Sequence, residues 1–160
     1  LVEQAFFAGG CFWGVEHLLE SEAGVISVDS GYMGGQKNSP TYRQISSGTT
    51  GHAEAVRVTF DPRIVSYETL TKLFLEIHDP TQKDRQGPDI GDQYRSAIFT
   101  TNSNQEVTAQ RLIALLKKRG YDVVTEVSNA GLYWPAEAYH QDYYVRTGKA
   151  PYCHSRVSRF

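Results

Sequence analysis

The stretch Ala5-Phe-Phe-Ala-Gly-Gly-Cys-Phe-Trp-Gly-Val-Glu-His-Leu-Leu19 decides how the chain folds. Ala5 to Ala8 are apolar, Gly9 and Gly10 break the run, and Val15, Leu18 and Leu19 return at helical spacing, so the segment reads as strand, tight turn, helix. Cys11 then stands at the helix start. Unpaired N–H groups and the positive end of the macrodipole favour an anion there, which lowers a thiol's pKa and raises its thiolate fraction. The same run also admits a plain packing reading, because cysteine is among the most buried residue types and Phe12 and Trp13 suit a strand–helix interface.

Working outward, residues 25–32 read as a second strand ended by Gly34-Gly35, and residues 35–51 as a long polar surface loop. His52 to Phe60 alternates, with Glu54, Val56, Val58 and Phe60 on one face. A carboxyl on the apolar side of a sheet is desolvated, which raises its pKa and keeps it protonated near neutral pH. The other reading puts Glu54 at a wet strand end, paired with Arg57 or Arg43.

Ser66 can cap a helix whose apolar positions are Leu70, Leu73, Phe74 and Ile77, and Pro80 stops it. Residues 80–93 form a second long polar loop, carrying Asp89 and leading to Tyr94. A short strand over 95–100 follows, then a capping box, Ser103-Asn-Gln-Glu106, opening a helix with Ala109, Leu112, Ile113 and Leu116 on one face. Gly120 closes it. Residues 123–127 read as a strand, 128–135 as irregular, and 136–144 as a short helix. Residues 147–154 are punctuated by Gly and Pro, which leaves Cys153 on a tail.

This order predicts an α+β fold: a two-layer sandwich with a mixed β-sheet core, helices packed mainly on one face, and long irregular loops and the C-terminal tail around a common edge. Its 160 residues make one domain, 1–160, with 147–160 a mobile tail. With 40% hydrophobic and 21% charged residues the composition is globular, and a net charge of −2 provides no basic field for nucleic acid or a membrane surface. No apolar run approaches a membrane span and no signal-peptide pattern opens the chain. A monomeric, cytoplasmic protein is the expectation, although a start at Leu1 leaves room for a trimmed precursor or a larger protein.

Two cysteines, Cys11 and Cys153, with no CxxC and five scattered histidines, argue against a metal site; they suit either a structural disulfide or a reversible redox pair.

Four segments, Gly10-Cys-Phe-Trp-Gly14, Gly51-His-Ala-Glu-Ala-Val56, Gly91-Asp-Gln-Tyr-Arg-Ser96 and Ala138-Tyr-His-Gln-Asp-Tyr143, resemble in sequence and order the A-type peptide methionine sulfoxide reductases. The resemblance runs over essentially the whole chain. It implies Cys11 as nucleophile, Phe12 and Trp13 as an aromatic methyl pocket, Glu54 as buried acid, and Tyr42 and Tyr94 as hydroxyl donors. It further implies Asp89 as a substrate-positioning carboxylate and Cys153 as recycling thiol, with no cofactor, a thioredoxin-type reductant, and the S epimer of free or peptide-bound methionine sulfoxide as substrate. Fusion to a B-type reductase also occurs in such proteins.

The chemistry is consistent with those groups. A sulfoxide needs a thiolate aimed at sulfur and donors on oxygen, while aromatic walls suit the apolar, positively polarised methyl. Two other readings compete. One is acyl transfer by Cys11 with His52 or His140 as base; the other is a non-catalytic switch built on a Cys11–Cys153 bridge.

Overall fold

The computed structural model describes residues 2–35, 40–47, 50–141, 143, 147 and 156–160. Among these described residues six strands form the central sheet, in the order β7-β6-β1-β3-β2-β8. They are β1 (Glu3–Gly9), β2 (Val25–Met33), β3 (Ala53–Phe60), β6 (Ser96–Thr100), β7 (Glu126–Asn129) and β8 (Trp134–Pro135), while β4 (Arg85–Gln86) and β5 (Asp89–Ile90) make a separate small hairpin. All pairings in the main sheet are antiparallel except β6 with β7, so the sheet is mixed.

Helices α1 (Phe12–Glu20), α3 (Tyr67–Ile77) and α4 (Ser103–Lys118) supply the apolar stripes that cover one face. Val15 and Leu19, Leu70 and Phe74, and Leu112 and Leu116 pack there against Phe7, Val56, Val58, Phe60 and Ile98. The alternating residues Phe6, Ala8, Ala53, Ala55, Ala97 and Phe99 build a smaller cluster on the opposite face, packed against Ala130 and Tyr133. The expected two-layer α+β sandwich is therefore the fold observed.

Several local readings need correction. The 35–51 loop contains a short helix, α2 (Tyr42–Ser46), opened by a capping box in which Thr41 Oγ1 accepts the Gln44 N–H and Gln44 Oε1 accepts the Thr41 N–H. The cap of α4 is Asn102, whose Oδ1 accepts the Gln105 N–H at 2.9 Å, one residue before the expected Ser103. The strand expected over 123–127 begins three residues later, because the Val124 N–H is diverted to the Pro80 carbonyl at 2.8 Å. Around 136–144 the described residues begin with a 3₁₀ turn, Ala138–His140, and Tyr143 beyond it is α-helical.

The C-terminal residues 156–160 are fastened to the end of α3. Glu76, 5% exposed, accepts from Arg156 Nε at 3.1 Å and Nη2 at 2.9 Å through Oε1, and from the Arg159 N–H at 3.0 Å through Oε2. Its own carbonyl accepts the Val157 N–H at 2.8 Å, and Arg159 donates to the carbonyls of Leu75 and His78. Of the anticipated tail 147–160, residues 148–155, Cys153 among them, lie outside the described residues.

Topology gathers the site. Antiparallel pairing brings the end of β1 next to the start of β6 (Gly9 opposite Ser96), and the start of β3 next to the end of β2 (Glu54 opposite Tyr32). Because Phe7 faces Val56, the end of β1 also reaches the level of Glu54. One edge thus collects Cys11 after β1, Glu54 on β3, Tyr94 before β6 and Tyr42 in the loop after β2.

Candidate active site

The turn into α1 needs both its glycines. A Cβ on Gly9 would stand 2.8 Å from the Phe74 ring and 2.9 Å from that of His78, so only glycine lets α3 come this close. Gly10 has φ 92°, a left-handed conformation that favours glycine. Cys11 follows in extended geometry as the N-cap of α1, and its carbonyl accepts the N–H groups of Gly14 at 3.2 Å and Val15 at 3.4 Å. Its side chain makes no cap hydrogen bond, leaving the thiol for other contacts at the helix's positive end; the residue is 5% exposed.

The first turn of α1 contains no acidic residue of its own. Glu54, 1% exposed, reaches it from β3: Oε1 accepts the Phe12 N–H at 3.3 Å, one of the helix's orphan donors. A carboxyl and a thiol therefore meet at one helix N-terminus. The wet-end reading of Glu54, paired with Arg57 or Arg43, is not what the fold adopts; Arg57 pairs with Asp29 instead, at 2.6 Å.

Tyr94 closes the 3₁₀ turn Asp92–Tyr94 that leads into β6. Burial raises its phenol above the ordinary tyrosine value, and the nearby charges of Glu54, then Tyr42, Asp89 and Cys11, push the same way. Tyr94 thus sits among four of the residues singled out from sequence. Asp89 is carried by the β4–β5 hairpin opposite Gln86, whose side chain ties the hairpin to the end of α3 through the N–H and carbonyl of Asp79.

Phe12 and Trp13 open an aromatic wall. The Tyr42 ring centroid lies 6.2 Å from that of Phe12, 6.3 Å from Trp13 and 4.3 Å from His140, while Tyr32 is 5.7 Å from Phe12. Trp13 is held on two sides: its Nε1–H donates to His140 Nδ1 at 3.0 Å, and Tyr143 stacks on it at 3.8 Å and 11°. These contacts fix the indole by hydrogen bonding as well as by packing.

The two histidines weighed as bases have other duties. His140 Nδ1 accepts the Trp13 indole N–H, and His52 Nδ1 accepts the Gly35 N–H at 3.1 Å. A ring nitrogen whose lone pair already takes a hydrogen bond is not free to receive a proton from a thiol. Among the described residues no group of three or more His, Cys, Asp or Glu side chains could hold a metal ion, and no helix is long and apolar enough to cross a membrane.

Glu137, Tyr32 and Tyr143 also belong to this neighbourhood and were not picked out from sequence. Tyr143 lies within the Ala138–Tyr143 motif and Glu137 immediately before it, the one local signal they carry.

The sandwich thus brings a cysteine, a buried carboxyl and phenols together at one helix start, and the comparisons with known proteins place that arrangement among oxidoreductases. A family model for peptide methionine sulfoxide reductase matches residues 3–160. A peptide methionine sulfoxide reductase MsrA from Deinococcus radiodurans is 48% identical over 159 residues, covering 98% of this chain and 77% of that one. Mxr1 from Saccharomyces cerevisiae in its reduced form has a TM-score of 0.90 at 30% identity, covering 99% of this chain and 93% of that one. Mxr1 in complex with Trx2 has a TM-score of 0.64 at 22% identity, covering 97% and 89%, and so speaks for the fold. The chain belongs to the peptide methionine sulfoxide reductase family, in its A-type branch.

Proposed function

We propose that this chain reduces the S epimer of methionine sulfoxide, with Cys11 as nucleophile and Glu54, Tyr42 and Tyr94 acting on the sulfoxide oxygen. The observation that carries the reading is the Glu54 carboxyl, buried and hydrogen-bonded to the first N–H of the helix that Cys11 caps. A thiolate and a carboxylate at one helix end repel, so the pair favours holding one proton between them. With the proton on Glu54, the thiolate attacks sulfur while the carboxyl delivers the proton to oxygen. The phenols stabilise the charge that develops there. The raised pKa of Tyr94 supports its acting as a donor.

The step balances. Oxygen passes from the sulfoxide to the cysteine, leaving the thioether of methionine and a sulfenic acid on Cys11. A thiol at Cys153 condenses with the sulfenic acid, forming a disulfide and water, and an external dithiol then opens that bond. A thioredoxin-type reductant is the proposed partner; the existence of Mxr1 in complex with Trx2 supports it by family likeness. Phe12 and Trp13 would receive the methyl and Asp89 would orient the substrate. Three subsites of different chemistry around a chiral sulfur favour one epimer, in keeping with the division of sulfoxide epimers between A-type and B-type enzymes.

The test is single-turnover reduction of the two separated epimers of N-acetyl-methionine sulfoxide without added reductant, counting methionine formed and thiols lost. One methionine per chain from the S epimer alone, with two thiols consumed in the wild type and one in Cys153→Ser, is the expected result. No methionine from the reduced, folded protein would overturn the reading.

A further inference from the structure

Tyr42 stands on the weakest support of the proposed oxygen-side groups. Glu54 is part of β3 and Tyr94 leads directly into β6, whereas Tyr42 begins a five-residue helix in the loop between β2 and β3. Ile45 holds α2 in the core by apolar packing, which leaves the helix's register less sharply fixed than hydrogen bonds do, and the capping box at Thr41 and Gln44 joins α2 only to itself. A phenol that must meet a substrate oxygen within a few tenths of an ångström needs a link from that helix to the sheet.

Glu137 provides one. Its Oε2 accepts the Tyr42 backbone N–H at 3.1 Å and the Tyr139 hydroxyl at 3.3 Å, while Oε1 accepts the Tyr32 hydroxyl at 2.9 Å. One carboxylate thereby spans α2, the end of β2 and its own segment. That segment is itself rigidly mounted. Tyr32 pairs with Trp134 and Gly31 with Pro135, the Ala136 N–H donates to the Ser30 carbonyl at 2.9 Å, and the Gln141 amide brackets Ser30, accepting its N–H at 2.8 Å and donating to its carbonyl at 2.9 Å.

Partial burial alone would raise the Glu137 carboxyl. The Tyr42 N–H, the Tyr32 hydroxyl and the nearby His140 outweigh it and hold the group below its ordinary value, so at neutral pH it bonds as an anion, in charge-assisted hydrogen bonds.

We infer that Glu137 is a positioning residue for the reductase step, tying the Tyr42 backbone to the β2 edge so that the Tyr42 phenol is pre-aimed at the sulfoxide oxygen. The inference rests on the proposed role of Tyr42 as oxygen donor. Glu137 itself touches neither Cys11 nor any reacting atom in this account; it acts through Tyr42, and secondarily through Tyr32, whose ring backs Phe12.

The experiment is single-turnover methionine formation from N-acetyl-methionine-S-sulfoxide by the reduced full chain, with Glu137 variants placed in two backgrounds. In Tyr94→Phe, where Tyr42 is the remaining phenol donor, Glu137→Ala is expected to lower the maximal rate about 10-fold, with half-saturation changed far less, and Glu137→Gln, which keeps one acceptor oxygen, to restore part of it. In Tyr42→Phe, where nothing is left to aim, the same substitutions are expected to change the rate less than about 2-fold. A purely structural role would depress both backgrounds alike and lower the urea midpoint in proportion. Equal losses in both backgrounds, or no loss in Tyr94→Phe, would overturn the inference while leaving the proposed function standing. Full methionine formation by the Tyr42→Phe/Tyr94→Phe double variant would overturn the donor role of the phenols and this inference with it.

Discussion

Replacing Glu54 by glutamine separates its chemistry from its place in the fold. Glutamine has nearly the same shape and keeps an oxygen for the Phe12 N–H, now accepted at 3.3 Å, so the buried donor stays satisfied and the cost in stability should remain below about 1 kcal/mol. In the proposed mechanism the substitution removes the carboxyl proton that is delivered to the sulfoxide oxygen, leaving the phenols of Tyr42 and Tyr94 in place. General acids contribute about 10²–10⁴-fold, so the methionine-forming step of Glu54→Gln should slow at least ~100-fold, equivalent to ~2.7 kcal/mol of barrier. Glu54→Ala should lose the same activity and ~2–4 kcal/mol of stability as well, because it opens a void at a position 1% exposed and orphans the Phe12 N–H. Rapid-quench measurement of methionine in the first turnover, beside urea unfolding of each variant, reads both quantities. A Glu54→Gln rate within threefold of wild type would refute the reasoning, since a carboxyl dispensable for the proton cannot be the acid.

Three further outcomes follow from the described contacts. Asn102→Ala should cost about 1 kcal/mol and lower the melting temperature by about 2–4 °C, whereas Ser103→Ala should stay within about 0.5 kcal/mol, because the side-chain cap of α4 is Asn102 Oδ1; calorimetry distinguishes them. Glu76→Ala should lower urea stability by ~2 kcal/mol, mainly through the orphaned Arg159 N–H, with Arg156→Ala costing less because that guanidinium is largely exposed. Burial pushes the Tyr67 phenol up to about 12 from 10.0, so the folded state favours its neutral form. Its contribution is fully present below pH 10 and is lost as pH rises from about 10 to 12; by linkage this one group should remove ~2–3 kcal/mol over that window, to be read from urea midpoints measured across it.

Where residues carry their own local signal, the chain was readable in advance. The Gly9-Gly10 break between an apolar run and helical spacing marked β1 and α1, and the period of two through Glu54, Val56, Val58 and Phe60 put the carboxyl on the helix-facing side. Overlapping signals misled: Ser103-x-x-Glu106 satisfies the same capping pattern as Asn102-x-x-Gln105, and the fold uses the latter, with Gln105 Oε1 accepting the Thr101 N–H in return. Thr41-x-x-Gln44 was a legible capping box, yet α2 is too short to show periodicity. Val123 and Val124 look like strand, but parallel pairing with β6 starts only at Glu126, a register that long-range contacts decide. In the site, Cys11 and Glu54 stood out because their own neighbours explain them. Glu137 did not, since the partners that tie it to β2 and α2 lie 105 and 95 positions away and no spacing rule links them.

The clamp of Arg156 and Arg159 on Glu76 fixes the chain only three positions beyond Cys153 in the sequence. Two residues, His154 and Ser155, stand between position 153 and the anchored Arg156 in the sequence, and an extended chain spans at most ~3.3–3.6 Å per residue, so the three backbone steps from Arg156 to that position cover at most roughly 11 Å. The same end of α3 presents the His78 ring to Gly9, two positions before Cys11. A partner group on so short a tether meets its target at an effective concentration of order millimolar or higher, however dilute the protein. For the recycling role proposed for Cys153, capture of an oxidised Cys11 is an intramolecular event that competes against every thiol and peroxide in solution, and the number of residues before the Arg156 anchor enters those odds.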